Sequence, residues 1–303
     1  MLIWVPADWA AQELTGLAGA EVCVVDPADG EVPSSVADVE FYVPSFMPTP
    51  QSTGVMSRMP KLRVVQALTA GVDALRPALP PGVVLCNARG AHDASTAEWV
   101  VAAILGSLRE FPLFAREQAA SRWAYQHTDS LAEKTVLIVG YGSIGAAVER
   151  RLAGFEVTVH RVARRAREGV AGAERLPELL PGADVVVLLV PSTSSTAGMV
   201  DARFLASMKD GSLLVNAARG SVTDTDALLA EVSKGRLRAA LDVTSPEPLP
   251  PGHPLWSAPG VLITPHVAAS TPLSLKRVAR LVREQAESYM RGDVLRNVVT
   301  DAY

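Results

Sequence analysis

The chain has 303 residues, 49% of them hydrophobic and 20% charged, with a formal net charge of −4. That length suits two domains, the composition excludes bulk disorder, and the acidic balance lacks the basic domain or stripe of a nucleic-acid binder. Cys23 and Cys86, the two cysteines, sit singly in apolar runs, so no disulfide framework and no metal site is expected, only small buried thiols.

In chain order, short β runs are predicted at Leu2–Pro6, Glu21–Asp26, Phe41–Pro44, Leu62–Leu68 and Val83–Asn87. Helical or loop segments separate them, as in a small parallel α/β unit. The N-terminus meets an acid at Asp8 without a basic region, unlike a signal peptide. No apolar run approaches the ~20 residues of a membrane span. A soluble, cytoplasmic protein without a membrane partner is expected.

A helix is predicted from Ser95-Thr96-Ala97-Glu98, with Ser95 and Glu98 as a capping box, running through Trp99–Phe114. Trp99, Val100, Ile104, Leu105, Leu108 and Phe111 cannot share one face. The helix is therefore sandwiched inside the monomer or packed on a second subunit.

A second α/β pattern starts at Thr135. Its strands are predicted at Thr135–Gly140, Glu156–His160, Asp184–Val190, Ser212–Ala217, Arg238–Val243 and Val261–Thr264. Helices fall at Ser143–Leu152, Asp201–Met208, Asp224–Lys234 and, closing the chain, Leu273–Met290. Continuous runs such as Val185–Val190 suit central parallel strands covered on both faces.

Gly140-Tyr141-Gly142-Ser143-Ile144-Gly145 lies between a strand and a helix, the context a dinucleotide fingerprint demands. Gly140 serves the tight turn, Gly142 the approach of a pyrophosphate and Gly145 the packing of helix on strand. Free N–H groups at Ser143 and Ile144 open the helix toward phosphate. An acid about 20 residues on would bind the ribose 2′-hydroxyl; His160 stands at that place, with Arg161, Arg164 and Arg165 behind it. Arg161 facing a 2′-phosphate, and Arg164 closing over it, favour NADP, with NAD possible.

Three polar residues complete the pattern: Arg219 in Asn216-Ala217-Ala218-Arg219-Gly220, Glu247 in Ser245-Pro246-Glu247-Pro248 and His266 in Thr264-Pro265-His266. An Arg that grips a carboxylate, and a His beside a Glu that favours its charged form, suit reduction of a 2-keto acid.

Together with Thr69-Ala70-Gly71-Val72-Asp73 and His253-Pro254-Leu255, these motifs resemble the D-isomer-specific 2-hydroxyacid dehydrogenases, most of all the glyoxylate/hydroxypyruvate reductases. The resemblance covers nearly the whole chain. It implies an α/β protein of two Rossmann-like or flavodoxin-like parallel-sheet domains with an active-site cleft between them. The substrate domain would take residues 1–95 plus 270–303 and the nucleotide domain 96–269, with a homodimer joined through the nucleotide domains. Arg219 would bind the substrate carboxylate and polarise the carbonyl, His266 would be the general acid and Glu247 its partner. Ala70, Gly71 and Val72 would hold the carboxylate through backbone N–H groups. Thr96, Val190, Pro191, Ala217, Ala218 and Asp242 would line the cofactor, Asp242 accepting from the carboxamide.

The alternatives are a dehydrogenase of a larger or phosphorylated 2-hydroxy acid, for which Arg89 is an available extra cation, and a non-enzymatic nucleotide-sensing corepressor. The complete Arg–Glu–His set argues against the latter. His92 and His127 are placed in polar loops and His253 in a turn, all without chemistry, and Trp256 in the core, with a reach into the cleft as its alternative. Phe46 and Met47 could shape a substrate side-chain pocket. With so few residues after the last helix, no C-terminal regulatory domain is expected.

Overall fold

Successive apolar strands and amphipathic helices build two parallel-sheet units, and the computed structural model describes them over residues 1–300. The first elements are β1 (Leu2–Val5), α1 (Asp8–Glu13), β2 (Glu21–Val24), β3 (Val39–Tyr42), α2 (Pro50–Gly54), β4 (Val64–Gln66) and β5 (Val84–Cys86). Then come α3 (Asp93–Leu108), α4 (Phe111–Ala119), β6 (Thr135–Val139), α5 (Ser143–Leu152), β7 (Thr158–Ala163), β8 (Ala171–Gly172), α6 (Leu176–Leu179) and β9 (Val185–Leu188). The chain continues through α7 (Ala202–Ser207), β10 (Leu213–Asn216), α8 (Thr225–Ser233), β11 (Arg238–Leu241), β12 (Val261–Ile263) and α9 (Pro272–Arg291).

Met1–His92 and the chain from Pro272 onward form one unit, Asp93–Thr271 the other. Positions 301–303, assigned above to the first domain, lie outside the described residues.

The first unit is a five-stranded parallel sheet in the order β2-β1-β3-β4-β5. Alternation along its central strands sends Trp4 and Tyr42 into one apolar cluster, and Ile3, Val5 and Phe41 into another on the opposite face. The second cluster is closed by α9, whose buried Val278, Leu281, Val282 and Ala286 recur at helical spacing. Buried Gln285 of the same helix donates to Gln66 Oε1 at 3.0 Å and to the Arg296 carbonyl at 2.9 Å. It also accepts from the Arg296 N–H at 2.9 Å.

The second unit is a seven-stranded sheet in the order β12-β11-β10-β9-β6-β7-β8, parallel throughout. The chain steps outward from β6 on one side and from β9 on the other, so the strand order reverses between them. Doubly wound sheets bind ligands beyond the carboxyl ends of the strands at such a point. Alternate side chains of β6, β9 and β10 are buried in two clusters: one includes α3 and α5 residues, the other α7 and α8 residues.

Two elements, α3 and β7, differ most from the sequence expectation. The single helix expected to reach Phe114 is broken: α3 ends at Leu108, Glu110 takes a left-handed conformation (φ 53°), and α4 starts anew at Phe111 with Pro112 in its first turn. A proline there lacks the N–H that a continuous helix would need. At its other end α3 starts at Asp93, so Ser95 and Thr96 lie inside the first turn rather than capping it. Ser95 Oγ instead meets Thr271 Oγ1 at 2.7 Å. The second difference, in β7, bears on the nucleotide site.

Candidate active site

The glycine loop joins β6 to α5 at the reversal point of the second sheet. Gly140 has φ +104°, and a Cβ there would lie 2.5–2.7 Å from the Leu189–Val190 backbone, so only glycine fits. At Gly145 a Cβ would come within 3.1 Å of the Gly140 carbonyl and 3.3 Å of Ile138, a close seating of α5 on β6. At Gly142 nothing lies within 4 Å, leaving space in front of the helix N-terminus for a phosphate to approach the N–H groups of Ser143 and Ile144. These features fit a pyrophosphate, and the strand after the loop is positioned for its ribose. Ser143 Oγ donates to Asp93 Oδ1 at 3.1 Å, tying the starts of α5 and α3 together. Thr96 is buried one turn further along α3.

β7 runs further than the sequence reading placed it. The sequence ends this strand at His160, but the strand runs over Thr158–Ala163 in register with β6 to Val139↔Val162. His160 and Arg161 therefore lie inside it. Arg161 is engaged by α5: its Nε donates to Glu149 Oε2 at 2.8 Å, and its Nη2 donates to Glu149 Oε1. The Tyr141 hydroxyl donates to the same carboxylate, and the Arg161 and Arg167 guanidinium carbons each lie 5.8 Å from the Tyr141 ring centroid. The Arg161 hydrogen bond holds the Glu149 carboxyl below its ordinary range against partial burial, and Tyr141 helps. The Glu149 contact pushes the Tyr141 phenol up. Arg164 and Arg165, exposed, are the cations that follow the strand end.

The candidate reaction groups lie at the far side of the same unit. After β10, Asn216 organises the turn: its Oδ1 accepts from Ala218 N at 3.0 Å and its Nδ2 donates to the Arg219 carbonyl at 3.1 Å. Arg219 Nη1 donates to the Ala218 carbonyl at 2.8 Å. A Cβ on Gly220 would lie 1.8 Å from the Thr244 carbonyl oxygen, so this turn presses directly on the segment after β11. Thr225 Oγ1 also donates to the Ser245 carbonyl at 2.7 Å. That segment carries Glu247, whose Oε1 lies 2.6 Å from His266 Nδ1.

His266 has φ +55°, a conformation uncommon outside glycine, and Asp242 holds the turn that imposes it. The Asp242 carbonyl accepts from His266 N at 2.7 Å. Its carboxylate is 3% exposed by residue and accepts from Thr264 Oγ1 (2.6 Å), Val267 N (2.9 Å) and Ala268 N (2.9 Å). Asp242 is thus first a scaffold for His266, with a single lone-pair direction on Oδ2 left for a carboxamide. Val190 and Ala217 are half-buried, Pro191 exposed and Ala218 buried, at the ends of β9 and β10.

In the first unit, the loop after β4 is pinned by its carbonyls: Gly71 O accepts from Thr69 Oγ1 at 2.6 Å and Ala70 O from Asn87 Nδ2 at 2.9 Å, while Val72 is buried. Trp256 and His92 depart from their expected places. Trp256 is 53% exposed and donates to the Pro250 carbonyl rather than filling the core. His92 is buried rather than in a polar loop, with Nε2 at 2.7 Å from the Leu68 carbonyl. His253 accepts from Leu255 N and caps a short helical turn. Phe46 packs between Trp9 and His92, whereas Met47 is exposed. Burial pushes the Cys86 thiol up to about 11.

Asp93, Glu149 and Asn216 escape the sequence reading as site residues. Only Asn216 had a signal, its place in the motif around Arg219. Among the described residues no group of His, Cys, Asp and Glu could hold a metal, and no helix is long and apolar enough to cross a membrane.

A family model described as D-isomer specific 2-hydroxyacid dehydrogenase, NAD binding domain, matches residues 101–268. Glyoxylate reductase from Korarchaeum cryptofilum is 31% identical over 287 residues, covering 90% of this chain and 86% of that protein. D-3-phosphoglycerate dehydrogenase from Archaeoglobus fulgidus is 31% identical over 255 residues, 81% of this chain but 48% of that protein, so the chain spans about half of that relative's length. Among solved structures, a D-isomer specific 2-hydroxyacid dehydrogenase from Xanthobacter autotrophicus Py2, in complex with NADPH and MES, is similar with a TM-score of 0.86. It is 32% identical over 100% of this chain and 99% of that one.

Proposed function

This chain belongs to the D-isomer-specific 2-hydroxyacid dehydrogenases, and on that premise we propose that it reduces a small 2-keto acid, of the glyoxylate or hydroxypyruvate kind, to the D-2-hydroxy acid with NADPH. The observation that carries the reading is the 2.6 Å contact between Glu247 Oε1 and His266 Nδ1. It fixes the imidazole in one orientation and directs Nε2 away from the carboxylate.

The bound nicotinamide would supply a hydride to C2 of the keto acid. His266 donates the Nε2 proton to the carbonyl oxygen as that bond forms, and Glu247 holds the ring in place through Nδ1. Arg219 holds the substrate carboxylate and polarises the carbonyl with a planar, permanently charged donor set. Asn216 and Gly220 keep the Arg219 turn against the Glu247 segment. The second unit is the nucleotide domain, with Gly140–Gly145 receiving the pyrophosphate. The first is the substrate domain, with the Ala70–Val72 loop as its proposed ligand-binding segment. Glyoxylate reductase as a relative, and NADPH bound by a similar solved structure, support the substrate and cofactor choices.

A homodimer joined through the second unit accompanies this reading. Phe111, Trp123 and Tyr125 are 61%, 97% and 80% exposed there, more aromatic surface than a lone protomer ordinarily shows in one segment. Light scattering at micromolar concentration would return twice the chain mass.

The activity is tested by following reduced-nicotinamide absorbance with a panel of 2-keto acids and both cofactors. Turnover fastest on small unbranched acids is expected. A folded, nucleotide-binding sample inert on the whole panel would remove the proposal.

A further inference from the structure

Arg89, Arg277, Arg280 and Arg296 converge on one pocket of about 360 Å³ in the first unit, beside Glu284 and Asn297. On a chain of net charge −4, four arginines lining one depression run against the average composition. The single carboxylate in the lining, Glu284, is bonded to Arg296 Nη1 at 3.0 Å. Among the described residues, Arg89, Arg277 and Arg280 have no acidic partner. Arg277 and Arg280 are one turn apart on α9, so like charges are held side by side, an arrangement that is unfavourable in isolation.

The backbone around this pocket is tied to its neighbours by hydrogen bonds. The Arg296 backbone is bonded in both directions to Gln285, which is 1% exposed. Asn297 Nδ2 donates to the Arg89 carbonyl at 2.9 Å, and Arg89 N donates to Asn87 Oδ1 at 3.1 Å. Asn87 is 4% exposed, and its Nδ2 is the donor to the Ala70 carbonyl. A short hydrogen-bonded chain, Asn297–Arg89–Asn87–Ala70, therefore joins the pocket to the loop that carries Gly71. The volume lies at the lower end for small-molecule sites, and guanidinium forks match phosphate and carboxylate oxygens in pairs.

We propose that this pocket binds a small multivalent oxyanion, a phosphate ester or a polycarboxylate, and that its occupancy acts through Asn87 on the loop at Ala70–Val72. The second clause rests on the reading of that loop as the keto-acid site; the first does not. The anion neutralises the Arg277–Arg280 pair and draws Arg89 toward it, and the Arg89 backbone carries the displacement to Asn87.

The test is isothermal titration of the full chain with pyrophosphate and, separately, citrate, with ionic strength held constant by potassium chloride. The wild type is compared with Arg277→Ala/Arg280→Ala, the fold of each confirmed by circular dichroism. One equivalent should bind the wild type, and the double variant should lose on the order of tenfold in affinity per guanidinium removed. The tighter of the two probes identifies phosphate or carboxylate as the chemistry. No binding of either anion by wild type that still binds NADPH overturns the site, as does a double variant that keeps wild-type affinity. Saturating anion should also change the KM for glyoxylate in the wild type and leave it unchanged in the double variant. An unaltered KM in anion-bound wild type overturns the coupling. A protein that turns over no keto acid refutes the functional reading instead, and the titration still decides the pocket.

Discussion

Glu247 Oε1 and His266 Nδ1 are 2.6 Å apart, although they belong to loops 19 residues apart in sequence, and both side chains are about one-third exposed. Two separate devices create this meeting. Asp242 holds the His266 turn through three side-chain hydrogen bonds and one backbone bond, and Gly220 lets the Arg219 turn lie against the Glu247 segment. The carboxylate and the imidazole are thus positioned by residues that need not touch a substrate. His266→Ala should lower kcat on the order of 10²–10⁴-fold, the usual cost of losing a general acid, with the nucleotide Kd unchanged. Glu247→Gln should lower kcat less, because the amide can still hydrogen-bond the ring but carries no charge. Steady-state kinetics check both, and a His266→Ala enzyme with wild-type kcat would remove His266 from the chemistry.

Arg219→Ala should raise KM and lower kcat together, since one guanidinium is proposed both to hold the carboxylate and to polarise the carbonyl. Arg219→Lys should recover little, because a point charge cannot reproduce a planar fork. A change confined to KM would limit Arg219 to binding.

Gly220→Ala places a methyl group where the Thr244 carbonyl oxygen already is, 1.8 Å away in the present backbone. Backbone cannot yield as a flexible side chain does, so a loss of about 1–3 kcal/mol is expected from overpacking. The Glu247 segment should move with Thr244, and kcat/KM should fall although no proposed reacting group is altered. Thermal unfolding and kinetics on the same sample measure both effects. Wild-type values for stability and activity would show that the two segments are not rigidly coupled.

The glycine loop was legible because Gly140 and Gly145 each meet a separate steric demand close to β6, with open space at Gly142 between them. The Ser143–Leu152 helix was equally plain, since Gly142 before it and the apolar face of Ala147, Val148 and Leu152 mark it locally. β7 was not legible. One face of it is exposed, so His160 sits among the outward residues of a continuing strand, and a polar residue after Val159 looks the same as a strand end. The break after Leu108 had a mark in Pro112, masked by the apolar residues on both sides. Glu149 was hidden for a different reason: its role depends on the register of β7 against α5, which no spacing within either element reveals.

The Glu149–Arg161 pair makes a pH-dependent stability prediction. The folded carboxyl lies below its ordinary value of 4.5, chiefly through the Arg161 hydrogen bond. A depressed carboxyl stabilises the fold fully above the unfolded value and loses that contribution as pH falls through the folded one. Glu149→Gln should therefore cost about 1 kcal/mol near neutrality, the upper end for a partly exposed ion pair. The gap in Tm between variant and wild type should narrow below pH 4.5. A gap that stays constant into that acidic range would mean that the carboxylate charge contributes nothing.

The cofactor prediction turns on which arginine follows the strand. Arg161 lies within β7 and is held by Glu149 and close to Tyr141, so a 2′-phosphate would have to compete with a carboxylate already in place. Arg164 and Arg165 come after Ala163, at the carboxyl end of the strand, where doubly wound folds place the residue that meets the ribose. The sequence places Arg164 and Arg165 there and not the acid that would repel a phosphate. Charge-assisted hydrogen bonds to it contribute roughly 1.5–3 kcal/mol each, about one to two decades of affinity. NADPH should therefore bind more tightly than NADH. Arg164→Ala/Arg165→Ala should weaken NADPH by that amount and leave NADH almost unchanged. Arg161→Ala should instead weaken both nucleotides alike, because it releases Glu149 and Tyr141 beside the glycine loop. Fluorescence titration of both nucleotides against the three proteins separates the cases. A loss specific to NADPH in Arg161→Ala, with none in the double variant, would return the phosphate to the strand interior, and a wild type that prefers NADH would remove the phosphate site altogether.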